Sequence, residues 1–377
     1  MKITDYFNAY TPVQSSQHSE KLSSFVDCYT TADAFDFKSY DIFIVGVQEG
    51  RLSLGNETCA FAPDEIREEL YDLYKGDWDL KILDLGNLIL GNTVEDTYVA
   101  LKDISEYFLE EQKQLIVLGG GHDLVKPIFD AYSFQNKPLS FASADAYLDF
   151  QDSENYNSKS FLSELVRTPG SLLSKYTLLA YQTYLCSPIE VNLLKKMEFN
   201  LVRLGDFNVD YSELEPYLRD LDHLSIDLSV VKSSEAPANI YSSPNGLTAE
   251  GLCVLMRYAG MSTKLKSVLF SELNPRLDKN QQSSKVFAQS IWYFMEGLHL
   301  RYDDFPEIST NNFKKFHVSA GFSELVFYKS NDSGRWWVTL LKNLDKSDIS
   351  LLPCSLKDYN KAVQGVLSER ISSQLKF

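Results

Sequence analysis

Short, almost wholly apolar runs recur through the middle of the chain. Each is followed by a stretch whose apolar residues fall three or four positions apart. The runs are DIFIVGV (41–47), LKILDLG (80–86), QLIVLGG (114–120), LSFASAD (139–145), YTLLAY (176–181), NLVRLGD (200–206), HLSIDLSV (223–230) and SVLFSEL (267–273). Most are continuous rather than alternating, as in strands covered on both faces. The intervening stretches read as amphipathic helices. APDEIREELYDLY begins at Ala62 with Pro63 and acids in its first turn, where the helix dipole favours them. Residues 93–111 set Val94, Tyr98, Leu101, Ile104 and Phe108 at helical spacing. LTAEGLCVLMRYAG offers Thr248 as N-cap and Gly260 as a C-terminal stop, and SSKVFAQSIWYFMEGL runs to about His299. Strands alternating with helices predict one three-layer α/β/α domain over residues 41–302, with a mainly parallel sheet of about eight strands.

The two ends do not follow this pattern. Residues 1–40 are rich in Ser, Thr and aromatics without a sustained period, and read as an arm lying on the body. After Tyr302, ELVFYKSNDSGRWWVTLL (324–341) predicts a hairpin turning at Asn331 to Gly334. KDYNKAVQGVLSERISSQL (357–375) predicts a final helix. Residues 303–377 are few for an independent core and are expected to pack on the body, with Trp336 and Trp337 as core residues rather than a partner surface.

Composition narrows the function classes. With 52 acids against 36 bases the net charge is −16, a field that repels phosphate backbones and argues against nucleic acid as partner. No apolar run approaches the ~20 residues of a membrane helix, and the first residues lack a basic-then-apolar signal. A cytoplasmic protein with no membrane contact is expected. The cysteines Cys28, Cys59, Cys186, Cys253 and Cys354 form no CxxC pair, so neither a disulfide framework nor a zinc knuckle is indicated.

In parallel α/β folds ligands gather beyond the carboxyl ends of the strands. Three such ends carry polar groups together: GGGHDL (119–124), ADAYLDF (144–150) and SIDLSV (225–230). They supply His122, Asp145, Asp149 and Asp227, a mixed nitrogen and oxygen set suited to Mn²⁺ and less selectively to Zn²⁺ or Fe²⁺. Taken singly, the glycines are a tight turn and His122, Asp145 and Asp227 are helix caps. Their joint occurrence favours a cation, because buried carboxylates are costly unless paired or metal-bound.

These segments resemble the arginase, agmatinase and formimidoylglutamase superfamily, the ureohydrolases, and most of all its formimidoylglutamase-like branch. GGGHD resembles the family's GGxH segment, ADAYLD its DAHxD and SIDLSVV its SxDxDxxDP. VGVQEGRLSLGNETCAFAPDEIREEL resembles its first strand, glycine loop and GPxxIR helix start, NGLTAEGL its GGLT helix entry and SELNPRLD its VEVNPxLD. The resemblance implies the family's fold and a hydrolase of linear C–N bonds in small amidine or guanidino substrates, working with two Mn²⁺ ions. It also implies that His122, Asp145, Asp149 and Asp227 hold one metal position, Asp145 and Asp227 being the bridging carboxylates. Glu272 matches the carboxylate facing the cationic substrate group, so Glu272 and Asp149 are the expected catalytic residues.

Departures fall on the other metal position. Tyr147 stands for the histidine of DAHxD, Ser229 for the second aspartate of SxDxD and Lys232 for the aspartate of DP. A phenol with a pKa near ~10 and a neutral hydroxyl bind Mn²⁺ poorly. After Asp149 no histidine follows where arginases carry a proton-shuttling one, while Ser158 and Ser160 fall near the place of an SGT segment. The other histidines, His18, His223, His299 and His317, have no family role. Two expectations follow. One is a hydrolase holding a single Mn²⁺ per chain. The other is a pseudoenzyme without metal, serving as a scaffold for a protein partner through the arm or the C-terminal extension, with an oligomer compatible with either.

Overall fold

The computed structural model describes residues 3–10, 19–30, 35–207, 210–306, 312–320, 323–341 and 349–374; His18 lies outside them. All eight apolar runs form strands: β3 (Ile42–Gly46), β4 (Ile82–Leu88), β5 (Gln114–Leu118), β6 (Leu139–Ala144), β7 (Leu173–Tyr181), β8 (Asn200–Arg203), β9 (His223–Asp227) and β10 (Ser267–Ser271). They pair in parallel in the order β4-β3-β5-β10-β9-β6-β7-β8. The first residues add two short strands to the outer edge of β4, the antiparallel β1 (Phe7–Asn8) and the parallel β2 (Val26–Cys28), making ten in all.

Alternation along the strands feeds two apolar layers. Ile42, Ile44, Ile116, Ile226 and Phe270 meet the helices Ala62–Tyr71, Ala249–Gly260 and Gln282–His299 on one face. Phe43, Val45, Leu115, Val117 and Leu269 meet Val94–Glu110, Val125–Ala131, Phe161–Arg167 and Pro188–Lys196 on the other. Covering both faces is what the continuous apolar runs require. Thr93 caps its helix through a capping box with Asp96, and Thr248 accepts from Gly251 N.

Gly260 is the last residue of its helix, as expected of a stop, and it also serves the packing of that helix. A Cβ there would lie 2.2 Å from Phe294 O, and one on Gly297 would lie 2.1 Å from Arg257 O. The two glycines let the helices touch backbone to backbone.

Residues beyond Tyr302 form a four-stranded antiparallel sheet, β11 (Phe313–Ala320), β12 (Ser323–Ser330), β13 (Trp336–Leu341) and β14 (Ile349–Cys354), in sequential order. The expected hairpin is β12–β13, and Trp336 and Trp337 are buried. Leu325, Phe327, Trp336, Val338, Cys354, Ala362 and Ile371 make a small core of their own. Polar contacts bind this unit to the body: Arg219 Nη1 donates to Trp336 O at 2.7 Å and Arg335 Nε lies 3.2 Å from Glu215 Oε1. The final helix is two, Leu356–Val363 and Glu369–Ser372, because Gly365 takes a left-handed conformation (φ 81°) between them.

Candidate metal and substrate site

Four neighbouring strands, β5, β10, β9 and β6, end level with one another. Phe270 pairs with Leu118, Ser271 with Asp227 and Ala144 with Ile226. The loops leaving these ends therefore open into one crevice. Beyond β5, Gly119 and Gly120 have φ of 79° and 80°. A Cβ would strike Pro63 Cδ at 2.4 Å from Gly119, and Leu124 Cδ1 at 2.5 Å from Gly120. The bare turn seats His122 at the start of the single turn His122–Leu124, fully buried.

His122 Nδ1 faces three carboxylates: Asp149 Oδ2 at 2.9 Å, Asp145 Oδ2 at 3.3 Å and Asp227 Oδ2 at 3.6 Å. Ligand atoms of all four residues lie within 4.8 Å of one another. The structure thus brings together every residue expected at the retained metal position. Of the expected helix caps only Asp227 is one, at the turn Leu228–Val230; Gly121 takes the cap position before His122, and no helix follows Asp145, yet both aspartates turn their opposite oxygens to the backbone. Asp145 Oδ1 accepts from Tyr147 N at 2.9 Å and Asp227 Oδ1 from Ser229 N at 2.7 Å, leaving each Oδ2 for the cluster. On the far side of the imidazole, Nε2 lies 2.8 Å from Ser225 Oγ, which lies 2.7 Å from Ser143 Oγ. This contact fixes which nitrogen meets the carboxylates.

Electrostatics show what the cluster lacks. Burial pushes Asp145 up to about 7, with the neighbouring Asp149 charge adding to it and His122 opposing. Burial also raises Asp149 and carries Asp227 well above the carboxylate range. For His122 burial disfavours the charged form, but the hydrogen bonds of Asp145 and Asp149 outweigh it and hold the imidazole well above its usual value. Burial and mutual repulsion thus leave these carboxylates short of positive charge. Three carboxylates and one imidazole nitrogen, buried and converging, fit a divalent ion of the Mn²⁺ type.

Of the three residues that depart from the family pattern, Tyr147 and Lys232 make their side-chain contacts outside the cluster, whereas Ser229 reaches into it. Tyr147 OH donates to Tyr241 O at 3.3 Å. Ser229 Oγ donates to Asp145 Oδ1 at 2.9 Å, and Lys232 Nζ pairs with Glu235 Oε1 at 2.6 Å.

Glu272 follows β10 with φ 64° and is buried. Its Oε1 accepts from His122 N at 2.9 Å, and its Oε2 from Ser53 Oγ at 2.5 Å and Asn56 Nδ2 at 2.7 Å. Ser53 and Asn56 were not singled out from the sequence, although both lie in the glycine loop GRLSLGNE after β3. Asn239 also went unnoticed; its Nδ2 donates to Glu272 O at 3.1 Å and Asp227 Oδ1 at 3.3 Å. Only their positions on loops facing the crevice mark them. Beside the cluster lies a cavity of about 180 Å³ lined by Tyr147, Asp149, Ser158, Asp227, Ser229 and Glu272 among others. Ser160 instead accepts from Asn157 N at 2.9 Å and holds the loop. His223 is buried against Ser267 and pushed down to about 3 by burial, whereas His299 and His317 are exposed.

A model of the arginase family matches residues 40–296. The chain belongs to the arginase family. A formimidoylglutamase of Lysinibacillus sphaericus is 23% identical over 264 residues, covering 66% of this chain and 81% of that protein. The crystal structure of Trypanosoma cruzi formiminoglutamase with Mn²⁺ superposes with a TM-score of 0.66 at 21% identity, covering 72% of this chain and 97% of that one. Bacillus subtilis formimidoylglutamase does so with a TM-score of 0.66 at 17% identity, covering 77% and 97%. Among the described residues no helix is long and apolar enough to cross a membrane.

Proposed function

We propose that this chain is a metal-dependent hydrolase of linear C–N bonds in small amidine or guanidino compounds, formimidoylglutamase-like, with one Mn²⁺ held by His122, Asp145, Asp149 and Asp227. The observation that carries this reading is the convergence of those four donors within 4.8 Å in a buried crevice. A divalent ion held by these residues would lower the pKa of water and supply a nucleophile near neutral pH. The chain's own residues supply the rest. Glu272 offers a buried carboxylate, fixed by Ser53, Asn56 and the His122 amide, to the cationic carbon-nitrogen group of the substrate. Asp149, against His122, adds negative charge where positive charge must bind, and is the group placed to hold a proton during the reaction.

A second reading, a pseudoenzyme scaffold working through the arm or the C-terminal extension, draws on Tyr147 and Ser229. Both hydrogen-bond within the protein at the position where the family carries ligands. Elemental analysis after dialysis against Mn²⁺, followed by assays with formimidoyl and guanidino substrates, separates the two. About one ion per chain with turnover supports the hydrolase. No metal and no turnover supports the scaffold.

A further inference from the structure

The end of the sheet opposite the crevice gathers positive charge. β3, β5 and β10 start level with one another, Ile42 pairing with Gln114 and Ser267 with Leu115. Before these starts lies a cavity of about 270 Å³, lined by Lys113, Lys266 and Arg301 together with Gln114, Asp41 and Glu111 among others. A wall with more bases than acids runs against the charge of the whole chain, −16.

Neutral groups alone hold these bases. Lys113 Nζ donates to the carbonyls of Lys38 and Tyr40, both at 2.8 Å. Arg301 donates Nε to Gly260 O at 2.8 Å, and Nη2 to Gln114 Oε1 at 3.0 Å and Leu265 O at 3.1 Å. Among the described residues, Arg301 Nη1 has no acceptor, and Lys266 Nζ has neither a hydrogen bond nor an ion pair. Of the two acids, Asp41 Oδ2 is taken by Lys81 N at 2.9 Å, and Glu111 is exposed at the C-cap of its helix. Burial pulls Lys266 down, and the charge of Arg301 adds to it. Burial pulls Arg301 down to about 10, which leaves it charged at neutral pH.

Gln114 supplies a second sign of a missing acceptor. Arg301 can only donate, so its contact turns Gln114 Oε1 to the guanidinium and leaves Nε2 buried without a partner. Two unpaired like charges and an idle amide donor on one cavity wall are costly unless a ligand accepts from them.

We propose that this cavity binds an oxyanion, the carboxylate or phosphate of a small ligand, with Lys266 Nζ and Arg301 Nη1 as its donors and the Gln114 amide beside them. The site rests on no reading of the crevice. The guanidinium offers a planar fork and the ammonium a mobile point charge, both suited to such a group. Arg301 already ties the end of helix Ala249–Gly260 to the approach to β10 and the start of β5. An anion shared with Lys266 adds a further link at this junction, just before the C-terminal unit, and stabilises the folded chain by mass action.

The test is calorimetric titration of the full chain, freed of metal by a chelator, with inorganic phosphate and with succinate at ionic strength matched by chloride. Freedom from metal keeps either probe from binding through an ion in the crevice. Saturable binding of at least one probe is expected. Lys266→Met should weaken it on the order of tenfold, the worth of one charge-assisted hydrogen bond, and Lys266→Glu should abolish it. Tighter phosphate identifies a phosphate-bearing ligand and tighter succinate a carboxylate; either supports the site. Lys266→Glu also sets a carboxylate beside Arg301, so that variant should melt above the wild type without added anion. No saturable binding of either probe, binding equal in the wild type and both variants, or a Lys266→Glu chain that melts at or below the wild type overturns the proposal.

Discussion

Ser229 donates its hydroxyl to Asp145 Oδ1 at 2.9 Å, from the position where a carboxylate ligand of a second metal is expected. The same Asp145 oxygen accepts Tyr147 N at 2.9 Å. Here one oxygen is engaged by neutral donors, while Oδ2 faces His122 at 3.3 Å. Neutral donors from Ser229 and Tyr147 thus take up the Asp145 oxygen turned away from His122.

That pattern is reversible on paper. The double substitution Tyr147→His and Ser229→Asp restores an imidazole and a carboxylate beside Asp145. It should raise the Mn²⁺ content by about one ion per chain. Metal analysis after gel filtration measures this, and an unchanged content would show that Lys232 or its surroundings also block the position.

Removal of a ligand and removal of its support should differ in degree. Asp145→Ala deletes a donor and should weaken Mn²⁺ binding by more than ~100-fold while the fold persists. Ser225→Ala deletes only the partner of His122 Nε2 at 2.8 Å and should cost ~10–100-fold. Competition titration with a fluorescent chelator reads both, and equal losses would contradict the assignment.

Metal uptake should depend on pH in a known direction. His122 is held well above its usual value against the burial that opposes it, and burial pushes Asp145 up to about 7. The metal-free cluster therefore binds protons near neutrality that an incoming ion must displace. Mn²⁺ affinity should rise with pH from about 6 to 8, with proton release visible by calorimetry in buffers of different ionisation enthalpy. A flat profile would count against the cluster as the ligand set.

The body also contains a buried ion pair. Arg67 Nε lies 2.8 Å from Asp84 Oδ2 and Nη2 lies 3.0 Å from Asp84 Oδ1, fastening helix Ala62–Tyr71 to β4. Arg67→Met leaves that carboxylate buried without its partner and should destabilise the protein by about 3–5 kcal/mol. Denaturant unfolding measures it, and a loss below ~1 kcal/mol would show that Tyr71 and the Gly86 amide suffice for Asp84.

Much of this was legible along the chain, for a local reason. A strand buried on both faces must be apolar throughout, so the eight runs announced β3–β10. A residue just past such a run lies at a strand end wherever the strand sits in the sheet. His122, Asp145, Asp149 and Asp227 could therefore be named from their spacing and from family resemblance. The short strands β1 and β2 carried no such signal, since two or three residues cannot show a period, and they form only because the edge of β4 offers unpaired backbone. The helix break at Gly365 was equally hidden within an otherwise helical spacing.

Sequence by itself determined the eight strands β3–β10, the polar strand ends and the residue types at Tyr147, Ser229 and Lys232. Only the tertiary structure decided that β10 lies between β5 and β9, which sets Glu272 against the His122 amide across 150 positions of chain. Only it laid Lys159 on the face of Tyr241, 82 positions away. The physical reason is that apolar periodicity is a property of neighbours along the chain. The partner of a strand and the direction of a polar side chain are instead settled by contacts among residues that the sequence keeps far apart.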